Sequence, residues 1–103
     1  MKTETVFMEV FGNSPIIRVL DFLITFQLFD YPLTEIAKNS GISYSTLQII
    51  WPKLKKNNIV IKTRRLGKSD LYKLNINNPA IRQLLELDWN LISGSENEVL
   101  VSH

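Results

Sequence analysis

One segment constrains this chain more than any other: residues 34–50, TEIAKNSGISYSTLQII. It reads as two short helices meeting at Gly41. Helices that cross near a right angle approach closely at their turn. That requires a small residue on the first helix, which Ala37 supplies. It also requires a residue that accepts left-handed backbone in the turn, which Gly41 supplies. Ile36, Ile42, Leu47 and Ile50 are placed to lock the pair onto a core. Leu33 reads as a brief extended residue and Thr34 as the cap of the first helix. Ser43 caps the second, where Leu47, Ile50, Trp51 and Leu54 repeat at helical spacing before Asn57-Asn58 closes it. Short helix–Gly–helix patterns occur in unrelated domains, so the flanking sequence decides how much this one means.

The pattern runs without a gap into two alternating segments, Ile59 to Arg65 and Leu71 to Ile76, expected as strands around an LGKSD loop. Gly67 can take a positive φ there. Upstream, Ser14 and Pro15 open a helix whose expected apolar face is Ile16, Val19, Leu20, Leu23, Ile24, Phe26 and Leu28, ended by Asp30-Tyr31-Pro32. Residues 5–11 fit either a short strand or a helical turn. Asn77-Asn78-Pro79 breaks the chain again, and Pro79 to Ile92 reads as a further long helix. The expected fold class is α+β, one domain over residues 1–93, with 94–103 as a flexible tail.

Charge is distributed unevenly. Between Lys53 and Lys73 stand eight basic residues, Lys53, Lys55, Lys56, Lys62, Arg64, Arg65, Lys68 and Lys73, against one acid, Asp70. That segment carries +7, and the other 82 residues, with four bases and nine acids, carry −5. The overall +2 hides a polarised molecule. A basic surface beside an exposed helix suits a polyanion, double-stranded DNA first. Solvated strands and protected hairpin edges can also be basic. Lys53, Lys55 and Lys56 equally complement the dipole at a helix C-terminus.

Several chemistries find no support. Without cysteine there is no disulfide, thiolate nucleophile or cysteine-based metal site. The one histidine, His103, is the last residue, and no Ser–His–acid set or glycine-rich phosphate loop occurs. Glu86 and Asp88 fall on different helical faces. The chain is expected not to be an enzyme and to need no cofactor or metal. No small-molecule ligand is evident. The N-terminus lacks a signal-peptide pattern, and the apolar stretch 15–29 is interrupted by Arg18, Asp21, Thr25 and Gln27. No membrane span and a cytoplasmic location are therefore expected.

FGNSPIIRVLDFLI, LTEIAKNSGISYSTLQII, LKKNNIVIKTRRLGKSDLYKLN and NPAIRQLLELD, spanning about residues 11–92, together resemble the archaeal-type winged helix–turn–helix transcriptional regulators. The resemblance implies a three-helix core, a two-stranded wing and a C-terminal dimerisation helix. It also implies sequence-specific DNA binding with the third helix in the major groove and the wing on the flanking backbone or minor groove. Tyr44, Ser45, Gln48 and Ile49 match the reading positions; Arg64, Arg65, Lys68 and Ser69 match the wing. Ser43, Thr46 and Lys53 complete the expected DNA-contacting set. Members usually dimerise, often through terminal helices. In this chain Leu84, Leu87, Trp89 and Leu91 carry more apolar surface than one core-facing stripe needs, so a homodimer seam is expected there. A core role alone would explain part of that stripe.

Two features depart from the family pattern. Pro52 lies inside the third helix, where it removes a donor to the Gln48 carbonyl and is expected to kink or shorten the helix. The reading face also lacks the arginine or asparagine that makes the strongest bidentate base contacts. Gln48 can address adenine, and Tyr44 or Ile49 a thymine methyl. DNA shape and water then carry part of any specificity. The alternative reading is a winged helix that serves as a protein-interaction module in transcription or replication machinery.

Overall fold

The computed structural model describes residues 4–101. Among these residues the chain forms five helices and a three-stranded antiparallel sheet. In chain order they are α1 (Val6–Phe11), α2 (Pro15–Thr25), β1 (Tyr31–Pro32), α3 (Leu33–Ser40), α4 (Tyr44–Lys56), β2 (Val60–Leu66), β3 (Ser69–Leu74) and α5 (Pro79–Val101). The sheet order is β1-β3-β2.

The ambiguous segment 5–11 is a helix. The Thr5 side chain accepts from the Met8 N–H at 3.2 Å and donates to Asp21 of α2 at 2.6 Å, so the cap also ties α1 to its neighbour. Phe7 and Met8 are buried by that docking. Pro15 opens α2 as expected, but the helix ends at Thr25. There the Thr25 hydroxyl donates back to the Asp21 carbonyl at 2.8 Å and the Gln27 amide takes the Ile24 carbonyl at 3.1 Å. Phe26 and Leu28 therefore lie outside the helix and exposed, not on its apolar face; Phe22 is buried in their stead.

The extended residues are Tyr31 and Pro32, not Leu33. Pro32 is held at φ −72° and ψ 161° and stands as N-cap, so α3 begins at Leu33 rather than after Thr34. Tyr31 pairs with Tyr72, which adds an edge strand to the hairpin. Gly41 ends α3 at φ 71°, ψ 32°, and a side chain there would also meet Arg18 Nη1 at 2.9 Å. Ser43 caps α4 by accepting from the Thr46 N–H at 3.1 Å. Pro52 does not shorten α4, which continues a further turn to Lys56.

β2 and β3 pair up to Leu66 and Ser69, so the expected five-residue loop closes to a two-residue turn at Gly67-Lys68, with Gly67 at φ 62°. A bulge at Thr63 shifts the register between Lys62 and Arg64. α5 starts behind Asn78, whose side chain accepts from the Ala80 N–H at 2.9 Å. It continues through Gly94 to Val101, so the expected tail from residue 94 is helical over most of its length. One glycine costs a helix only about 1 kcal/mol and does not by itself end it. His103 lies outside the described residues. The core centres on Val19, Ile36, Leu47 and Leu74, with the Trp51 and Tyr72 rings edge-on at 5.3 Å joining α4 to the sheet.

Candidate nucleic-acid interface

The face of α4 turned away from the core is set by its own periodicity. Leu47, Trp51 and Leu54 are buried, which leaves Tyr44, Ser45, Gln48 and Ile49 exposed at its N-terminal half. Ile49 is 70% exposed, a β-branched apolar side chain standing in water. Ser43 and Thr46 have a local duty: Ser43 Oγ accepts from the Thr46 backbone and donates to Thr46 Oγ1 at 2.8 Å. Tyr44, at the start of α4, shares a pocket of about 220 Å³ with Lys68 and Ser69 of the hairpin tip and with Thr34 of α3. The fold thus brings the first turn of α4 and the tip of the hairpin to one place.

The basic residues do not act as a block. Arg64 reaches back to Asp30, before β1, with Nε at 3.0 Å and Nη2 at 3.3 Å from the two carboxylate oxygens. Thr63, at the bulge, donates to the same carboxylate at 2.5 Å. These partners hold Asp30 at a pKa of about 2, the Arg64 hydrogen bond contributing most and Thr63 next, and the carboxylate raises the Arg64 pKa in turn. Asp70 takes Lys62 at 3.3 Å and Arg65 at 3.4 Å. Three of the eight bases therefore face an acid. Lys53, Lys55, Lys56, Lys68 and Lys73 make no ion pair among the described residues.

The lysines at the end of α4 diverge. Lys53 lies along an apolar cleft with Ile16, Leu20, Ile81 and Leu84, on the side toward α2 and α5. Lys55 and Lys56 border a groove shared with Gln48 and Tyr72, on the hairpin side. Lys55 Nζ stands 5.9 Å from the Tyr72 ring centroid. Lys53 is thus separated from the rest of the expected contact set, while Lys55, Lys56 and Thr34 adjoin it. Periodicity from Gln48 on one helical face could have selected Lys55; Thr34 depends on tertiary packing and has no local signal.

On α5, Leu84 packs at the edge of the core and Leu91 is half-buried, whereas Leu87 and Trp89 project outward, Trp89 at 66% exposure. α1, which carries the exposed Val10 and Phe11, packs against α5. No group of three potential metal ligands occurs among the described residues, and no described helix is long and apolar enough to cross a membrane. No protein-family model, curated protein or solved structure matches the chain.

Proposed function

We propose that this chain is a winged-helix protein that binds double-stranded DNA as a homodimer and regulates transcription. In this reading α4 enters the major groove, and the β2–β3 hairpin lies along the flanking backbone. The observation that carries it is the juxtaposition of a solvent-facing α4, bearing Tyr44, Ser45, Gln48 and Ile49, with Lys68 and Ser69 at the hairpin tip. An α-helix fits the major groove, and its flanks need cations for phosphate. Tyr44, Ser45, Gln48 and Ile49 face bases; Lys68, Lys55 and Ser69 face backbone. α5 supplies the dimer seam through Leu87, Leu91 and Trp89, with Leu84 at its inner edge. In a cell without a nucleus, as the resemblance to archaeal-type regulators implies, such a protein works in the cytoplasm.

Duplex affinity measured against salt tests the proposal. The expected result is binding that weakens linearly in log–log form as salt rises. Absence of salt-dependent binding to any duplex overturns it. A second reading, a protein-interaction module, draws on a specific observation. Arg64 is matched by Asp30, and Lys62 and Arg65 share Asp70, while Tyr44, Ile49 and Leu66 present apolar surface nearby. That reading requires a stable complex with a protein partner that survives high salt.

A further inference from the structure

The hairpin side of α4 carries a groove of about 570 Å³ whose floor is apolar: Leu33, Trp51, Pro52 and Tyr72. Its volume falls in the range of small-molecule sites. Gln48, Lys55 and Lys56 supply its polar border, and no acid lines it. Trp51 is 4% exposed, and its indole N–H is shut off from water without an acceptor among the described residues. Because Trp51 lines the groove, its indole N–H resonance reports on any occupant.

We propose that this groove binds a small aromatic carboxylate of one or two rings. The ring lies over Pro52 between the Trp51 and Tyr72 side, and the carboxylate is held by Lys55 and Lys56. A bare phosphate suits this floor poorly, since apolar walls give it no hydrogen bonds. The polar pocket of Thr34, Tyr44, Lys68 and Ser69 suits backbone phosphate better. Because Gln48 borders the groove, an occupant stands beside the face proposed to read bases. Binding of the ligand is independent of the DNA reading; only its consequence, displacement of DNA, rests on that reading.

The test is a titration of the ¹⁵N-labelled full chain with 2-naphthoate, following the two indole N–H resonances, with Trp89→Phe to assign them. The Trp51 resonance is expected to move saturably and the Trp89 resonance to stay. Neutral 2-naphthamide, which keeps the ring and loses the charge, is expected to bind about tenfold more weakly, as is the Lys55→Gln, Lys56→Gln variant, whose changes are on the surface. No movement of Trp51 at millimolar naphthoate overturns the proposal. Equal affinity for the amide, or an undiminished affinity in the double variant, overturns the carboxylate assignment. A Trp51 shift in a chain that binds no DNA leaves the site standing and removes only its regulatory consequence.

Discussion

Replacing Asp30 with asparagine should make DNA binding more sensitive to salt. Eight bases lie in the segment 53–73, and three of them are held by Asp30 or Asp70. Lys53 lies on the far side of α4, toward α2 and α5; if each of the four others neutralises one phosphate, the log–log slope is about −3.6 per chain, at about 0.9 for each contact. All eight acting together would give about −7. Asp30→Asn removes the carboxylate that Arg64 chelates at 3.0 and 3.3 Å, which frees one guanidinium for phosphate. The slope should steepen by about 0.9, with tighter binding at low salt for all sequences alike. Arg64→Gln in the unaltered background should leave the slope nearly unchanged, because that charge is already matched. Fluorescence anisotropy on a short duplex holding one chain, across a range of potassium chloride, reads all three. A slope near −7 for the natural chain, or a loss of about 0.9 on Arg64→Gln alone, would mean that phosphate displaces Asp30 unaided. The reasoning then fails.

Gln48→Ala should change sequence preference more than non-specific affinity, by about 1–3 kcal/mol at one base pair, as read by selection from random duplexes; identical preferences would place readout elsewhere. Leu87→Glu with Leu91→Glu should give a monomer by light scattering and weaken DNA binding, since it sets unpaired charge in the seam; a persisting dimer would exclude α5 from the interface. Asp30 is held at about 2 against an ordinary 3.8, so its contribution to stability is present above pH 4 and lost as pH falls toward 2. The melting temperature should drop more steeply over that window than in Asp30→Asn, and parallel curves would count against the pair. Asp88 on α5 has its pKa raised by burial and then by Asp21, so its contribution is held at low pH and lost as the group ionises. Asp88→Asn should therefore melt higher at pH 7 and gain little at pH 3; a constant gain would point to packing rather than charge.

The parts of this fold that were legible in sequence are those with a local cause. Ser43 caps α4 and Gly41 ends α3 because both effects reach only a few residues. The alternation on either side of Gly67 marks the hairpin for the same reason. β1 was hidden because two residues make a strand only through the partner strand, β3. The early stop of α2 was hidden because Phe26 and Leu28 continue an apolar pattern that the backbone has left. Hydrophobic periodicity cannot report an exposed phenylalanine. Most of all, the Arg64–Asp30 pair spans 34 residues and is invisible to any reading of charge along the chain. The +7 of the segment is therefore not all free charge. The groove beside Trp51 likewise needs Leu33 and Tyr72 brought together by the sheet.

Those internal pairs change what the proposed function demands. A wing with every base free would bind any duplex strongly, and that sequence-independent term lowers the ratio of specific to non-specific binding. Asp30 and Asp70 lower the charge of the hairpin strands while Lys68 keeps it at the tip, so under the proposed function the backbone would be touched near Tyr44 more than along the whole hairpin. The cost is affinity, and α4 recovers little of it, having Gln48 as its one amide and no guanidinium on its exposed N-terminal half. A single chain is then a weak binder on both counts. Under the proposed function, two chains joined through α5 would convert the second contact into an intramolecular one, which would multiply affinity at paired half-sites without restoring it at random sequence. On this argument the dimer is a requirement for specificity rather than an accessory. Half-sites should lie about one DNA turn apart, roughly 34–36 Å, or a multiple of it.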